Sequence, residues 1–547
     1  MTRSLAFLAA LLIAAAPEPP QSSQPDALVL EGLGSHRRAI TNASPEAQRW
    51  FDQGLNVVFA FNHDEAISAF AKAASISPGC AIAFWGIAYA NGPHINNPQL
   101  EPDRAQAAWS ALQGAQAEAS KASPVEQALI AALARRYADP PPADRGALDA
   151  AYADAMRRVR ERFPNDADVA ALTAEAMMDV HPWDYWKADG KPQPWTPEIR
   201  RTIEAGFTLD PRHPMLNHLY IHVLEAGPDA AKASAAADIL RDLQPGLGHM
   251  VHMPSHIDVR TGRWEDAIAA NQRAISVDAA YREKRPRQGF YSIYMAHNHH
   301  MLAYAAMMSG QSALALRAAH GLVEGIPAEY RKSSAAMVDL YYAMPLEVLM
   351  RFGRWDEVLA VPEFDEDLPG SRALRHMARA VALAARGEVA QAKEEQRLFA
   401  AAREKVVKDA IYGNNTVVEV LGVAARLLMG ELLVREGQLD RGLAELRKAV
   451  AAEDKLRYNE PPDWIQPARH ALGAALTAAG RHAEAEKAFR EDLRRAPANG
   501  WALYGLSRAL DRRNRKDESK RVHAQFESVW QKADVQIKSA CFCQQGV

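Results

Sequence analysis

The sequence has almost no cysteine. Three thiols, Cys80, Cys541 and Cys543, occur in 547 residues; so sparse and odd a set cannot build a disulfide framework, and stability must come from packing. A dominant charge is missing as well. Lys and Arg number 64 against 67 Asp and Glu, a formal net charge of −3, and the densest basic run, Arg512 to Lys516, is followed at once by acids. No nucleic-acid footprint is expected from that balance. Apolar runs of spanning length are absent after the first residues, so no membrane span is expected beyond the N-terminal segment. Phosphate loops, dinucleotide fingerprints and nucleophile elbows are also missing, so no nucleotide cofactor is expected. The 31 glycines and 32 prolines are scattered rather than periodic, and 48% of the residues are hydrophobic, which excludes collagen-like and disordered chains.

What is present begins with an export signature. Arg3 supplies a positive start, and Leu5 to Ala16 (LAFLAALLIAAA) is an apolar run of signal-peptide length that is too short to cross a bilayer. Residues 1–16 are therefore expected to form a signal peptide or N-terminal anchor, and the protein to be exported, periplasmic or extracytoplasmic. Pro17 beside Ala14-Ala15-Ala16 leaves the cleavage point open.

A fixed period organises the rest. Trp50, Gly54, Ala66, Phe70, Ala73 and Pro78 fall at positions 4, 8, 20, 24, 27 and 32 of a 34-residue unit starting at Ala47, which resembles the tetratricopeptide (TPR) repeat. A second clear unit starts at Gln466, with Gly473, Gly480, Ala485, Phe489 and Pro497 at positions 8, 15, 20, 24 and 32. Pro211, Pro245 and the helix-breaking Gly262, Gly310, Gly353, Gly387 and Gly437 anchor further units near Pro214, Gly248, Ala296, Asp339, Ala373 and Val423. Each unit is two antiparallel helices whose small residues let the helices approach and whose position 24 fills the gap. The expected fold is all-α: a TPR-type α-solenoid, a right-handed superhelix of about ten or more helix pairs with helix A lining the concave face. Residues 17–43 read as a lead-in, 44–365 as an N-terminal array, 366–530 as a C-terminal array and 531–547 as a tail. Three segments break the period, His181 to Trp195, Arg282 to Met295 and Tyr458 to Trp464; their Pro, Gly and aromatic content marks ordered loops.

Nine of the 18 histidines lie between His213 and His300. On the repeat frame His218, His222 and Glu225 take positions 5, 9 and 12 of one helix A, His249, His252 and His256 positions 2, 5 and 9 of the next, and His297 and His300 positions 2 and 5 of the third. Spacings of three and four place them on one helical stripe, opposite the packing stripe and facing the groove. Glu175, Tyr304 and Glu347 extend that stripe at position 9. Imidazoles and carboxylates converging from neighbouring helices can ligate zinc, iron or copper. The alternative is a set of groove or core histidines satisfied by protein partners, with no metal. Pro254 falls inside the second helix A; a kink keeps His249 and His252 helical, and the Met344-Pro345 pair matches Met253-Pro254 in position. Cys541 and Cys543 suit a soft metal, a strained pairing or a plain tail. Cys80 reads as a packed small residue. Trp183, Tyr185, Trp186 and Trp195 form either a lid over the groove or a plug against the solenoid.

The strings FNHDEAI (Phe61 to Ile67), NHLYIH (Asn217 to His222), HMPSHI (His252 to Ile257) and YNEPPDW resemble a set of exported bacterial TPR proteins of unestablished activity. The TPR resemblance implies a binding solenoid, with a peptide, protein or small molecule as partner in the groove. Two functions follow from the residues: a binding or scaffold protein with a His/Glu metal site, or a metal-dependent enzyme with Glu175, Glu225 or Glu347 as base.

Overall fold

The computed structural model describes residues 27–541 and 543; the signal-like run at 1–16 lies outside them. Among the described residues 26 α-helices follow one another, and the one sheet is a two-stranded antiparallel ribbon pairing Ile411–Tyr412 with Asn415–Thr416. The chain is an all-α solenoid of TPR-type helix pairs. In the Ala47 unit the hydroxyl of Ser44 accepts from the Ala47 amide ahead of Pro45, helix A runs Pro45–Phe59, and helix B runs His63–Ile76 from an Asn62 cap. Pro45 costs nothing in the first turn, where its missing N–H has no intrahelical acceptor.

Small residues sit where the frame demands them. A Cβ on Gly54 would stand 2.7 Å from the Phe70 ring, and one on Gly86 of the next helix A 2.6 Å from it. Phe70 is thus clamped between two glycines, one in its own unit and one in the following unit. Phe489 repeats the arrangement between Gly473 and Gly505. Gly262 and Gly480 end their A helices in left-handed backbone at φ 77° and 73°, a conformation that a Cβ disfavours.

Two of the expected loops stand and one shrinks. Residues 181–195 and 458–464 carry no helix. Over 282–295, however, the helix Trp264–Lys284 runs three residues into the segment and Tyr291–Met308 begins within it. Only 285–290 is irregular, because the apolar run from Tyr291 continues the helical stripe upstream of the frame. Pro254 kinks its helix as expected: Gly248–His252 and Pro254–Thr261 are joined through a helical Met253 at φ −50°, ψ −38°. Asp339–Ala343 is a 3-10 turn leading into Met344–Arg351, so Pro345 starts that helix instead of kinking it.

The array does not stay open. The Trp264 indole N–H donates to Pro497 O at 3.0 Å and Trp501 to Met307 O at 2.8 Å. Asp534 accepts from the Ser312 and Ala313 amides at 2.7 and 2.8 Å, adding charge at a helix start. One apolar core accordingly joins Val259 to Phe352 with Trp501, Phe526 and Ile537. The C-terminal repeats fold back on the middle ones, and the concave side becomes an interior. No helix among the described residues is long and apolar enough to cross a membrane.

Candidate metal centre

The histidine stripe is buried, not groove-lining. His218, His252 and Glu225 have no exposed surface, and His222, His249, His256 and His300 retain 4% or less; His297 is half-buried. This corrects the expectation of an open face, and the cause is what covers the stripe. Phe61, on the turn between the first two helices, places its ring 4.4 Å from that of His218 and 5.6 Å from that of His249. Trp183 of the 181–195 loop meets His222 edge-on at 5.3 Å, and Glu460 of the 458–464 loop reaches His256.

Neighbouring A helices meet in a register of 31 residues, not the 34 of the frame. His218 Nε2 stands 3.2 Å from His249 Nε2, and the same offset pairs Glu225 Oε2 with His256 Nδ1 at 2.5 Å. The donors therefore sort by that register and not as one continuous stripe. His218, His222 and His249 form one trio and His252, His256 and His297 another, each with its ligand atoms within 4.8 Å of one another. Glu225, His256 and Glu460 make a third such group. His300 joins none of the described groups: its ring lies 6.4 Å from His297 and 5.5 Å from Tyr341.

Three of the imidazoles are oriented from behind. His218 Nδ1 donates to Phe59 O at 2.8 Å, and His222 Nδ1 to Glu225 Oε1 at 2.8 Å. His252 Nδ1 donates to Asn271 Oδ1 at 2.6 Å, while the Asn271 amide N–H donates to Ala267 O and so fixes which end accepts. Acceptors on Nδ1 assign the proton there and leave a lone pair on Nε2, the pattern of metal-ligating histidine with its outer partner.

Burial holds most of the cluster neutral. It lowers His218, His222, His249, His252 and His297, with the neighbouring imidazoles acting in the same sense and Glu225 opposing it at His222. His300 falls to about 3 from burial alone. His256 is the exception. Burial disfavours its charge, yet Glu225 and Glu460 outweigh burial and raise it to about 10; burial of Glu225 is likewise outweighed by His256 and His222, which lower it to about 2.

Two lone pairs consequently oppose each other. His218 Nε2 and His222 Nε2 lie 3.1 Å apart, both rings are neutral, and both have spent their proton on Nδ1. His249 can turn one N–H toward His218, but nothing in that arrangement puts a proton between His218 and His222. Acceptor against acceptor in a dry interior is unfavourable, and a cation between them removes the conflict.

Other signals resolve into structure. Tyr185 is buried, and Trp186 and Trp195 donate to Val223 O and Asp184 O at 2.7 Å each, so three of the four loop aromatics plug the solenoid and only Trp183 covers the histidines. Cys80 is fully buried and Cys541 is disulfide-bonded to Cys543. Glu175 accepts from the Tyr89 hydroxyl, and Glu347 is buried and pushed up to about 8 by that burial; neither falls in a described donor group. His36 and His213 both hold one oxygen of Asp168 at 2.9 Å while Arg38 takes the other at 2.7 Å, an ion-pair lock that ties the lead-in segment to the array.

Residues missed by the histidine count are Phe61, His63, His94, Asn271 and Glu460. The His63 and His94 rings meet at a tilt, 4.2 Å apart, beside Phe61. Phe61, His63 and Glu460 lie inside the strings FNHDEAI and YNEPPDW. Backbone strain marks the site too: Phe61 and Trp183 are non-glycine residues at φ 57° and 61°, a costly conformation that accumulates at functional sites.

No protein-family model matches the chain, and no curated protein does. Among solved structures, a human IFIT1 dimer with PPP-AAAA aligns at 12% identity over 87% of this chain and 89% of its own, with a TM-score of 0.32. An APC/C hetero-tetramer of Cut9 and Hcn1 aligns at 11% identity over 89% and 76%, with a TM-score of 0.30.

Proposed function

We propose that this chain is an exported TPR-type binding protein whose interior chamber holds transition metal through the imidazoles of His218, His222, His249, His252, His256 and His297. The observation that carries the reading is the 3.1 Å contact between His218 Nε2 and His222 Nε2 in two rings whose Nδ1 atoms face acceptors, a geometry suited to two nitrogens about 2.0–2.1 Å from a shared ion. Nitrogen donors with acceptor-bound Nδ1 atoms suit zinc or copper better than calcium or magnesium. Peptide or protein partners then engage the outside of the solenoid, because the histidine face is filled. Elemental analysis of protein purified without a His-tag tests the reading: stoichiometric zinc, copper or iron is expected, and a metal-free protein that takes up none on titration overturns it. Export rests on residues 1–16; N-terminal sequencing of protein from a secreting host is expected to begin after the apolar run.

A second reading, a metal-dependent enzyme, draws on the three-donor groups, which leave a coordination position free. Burial of those donors limits such chemistry to small molecules.

A further inference from the structure

We propose that the chamber is a two-ion centre, one transition-metal ion in each imidazole trio, with Glu225 linking the pair. The proposal rests on the metal reading above and goes beyond it in number, arrangement and ion.

Six nitrogens around a single octahedral ion would all lie within about twice a metal–nitrogen bond, roughly 4.2 Å, of one another. The donors instead fall into two separate groups of three. The groups adjoin: the His222 and His256 rings are 5.8 Å apart and those of His249 and His252 5.9 Å. Each has its own outer partners, Phe59 O behind the first and Asn271 behind the second. One carboxylate serves both. Glu225 gives Oε1 to His222 Nδ1 at 2.8 Å and Oε2 to His256 Nδ1 at 2.5 Å, so a shift in one imidazole on metal uptake is felt by a ligand of the other ion.

Donor number narrows the ions. Each group offers three imidazole nitrogens, which complete a trigonal copper(I) ion, whereas tetrahedral zinc(II) takes a fourth ligand that neither trio supplies. The chamber is thus assigned to a copper(I) pair.

The test titrates metal-free, untagged full-length protein with copper(I) under anaerobic conditions against a chromophoric copper(I) chelator, and in parallel with zinc(II). Two equivalents of copper(I) are expected. His249→Ala and His297→Ala are each expected to bind one, and the double variant none. A single equivalent in the wild type, unchanged in His297→Ala, overturns the pair and leaves the metal reading standing. No binding of either metal overturns both. Two equivalents of zinc with no copper(I) retain the pair and overturn its assignment to copper. His297 is half-buried, so its variant decides the question even if His249→Ala does not fold; thermal melts of both report folding.

Discussion

Glu460 Oε2 stands 3.3 Å from His256 Nδ1, which ties a loop of the C-terminal half to the kinked helix at the centre of the array. The contact covers the second trio, as Phe61 covers the first. It also sets charge, since Glu460 is the second of the two carboxylates that raise His256. Glu460→Gln keeps the shape and removes that charge. In the metal-free protein the His256 value is expected to fall from about 10 by about one unit or more, read from imidazole nitrogen shifts in an NMR titration. An unchanged value would mean that Glu225 alone holds the proton.

Burial of so many neutral imidazoles makes the metal-free fold sensitive to acid. His63 is lowered to about 4 and His300 to about 3 by burial, against about 6.5 in an unfolded chain. Between those values the unfolded state binds the proton and the folded state does not, so stability falls as pH falls, on the order of a few kcal/mol for each group. His256 acts in the opposite sense. Its folded value of about 10 exceeds the unfolded one, so its contribution is complete below about 6.5 and fades as pH rises through 10. Urea midpoints in chelator are expected to drop steeply between pH 6.5 and 4 and more gently above 8. A flat acid limb would show that these rings titrate alike in both states.

The glycine clamps give a prediction with two signs. Gly473→Ala drives a methyl into the Phe489 ring, which Gly505 blocks from retreating, and is expected to cost about 1–3 kcal/mol. Gly422 lies inside the helix Val417–Arg435 with only the Arg403 guanidinium tip at 3.8 Å, so Gly422→Ala is expected to stabilise by about 0.5–1 kcal/mol. Denaturation midpoints of the two variants should move in opposite directions.

The helix pairs were legible because their determinants are local. Gly54, Phe70, Gly473 and Phe489 sit at fixed offsets within one unit, and those offsets alone specify who touches whom. The histidine chamber was legible in membership but not in pairing. Spacing of three and four residues places His218, His222 and Glu225 on one stripe, but which residue of the next helix stands opposite depends on the axial shift between helices, and the 31-residue register is set by loops and by the Pro254 kink. Burial was not legible at all. Trp183 and Glu460 arrive from segments that break the period, and the closure through Trp264 and Trp501 joins residues more than 190 positions apart. A periodic reading carries no information on contacts of that range. His300 shows the same limit, sharing the stripe with His297 in sequence while its ring turns toward Tyr341.

His222 is where the functional reading is most exposed to test. Its ring touches His218, Phe61 and Trp183, its Nδ1 engages Glu225, and only 2% of its surface meets solvent. His222→Ala therefore empties a buried space as well as removing a ligand, and the metal-free variant is expected to lose about 2–3 kcal/mol relative to metal-free wild type. That loss is common to a structural and a ligating histidine, so the deciding quantity is the difference between loaded and metal-free forms. Metal bound only to the folded state raises the melting temperature of the wild type by mass action. In His222→Ala the rise attributable to the first trio should vanish, with the helical circular dichroism retained at low temperature. His222→Gln, which refills most of the volume without an imidazole, should recover part of the metal-free stability and none of the metal-linked rise. Recovery of both by glutamine, or a wild type whose melting is indifferent to zinc and copper, would make His222 a packing residue and the chamber a core.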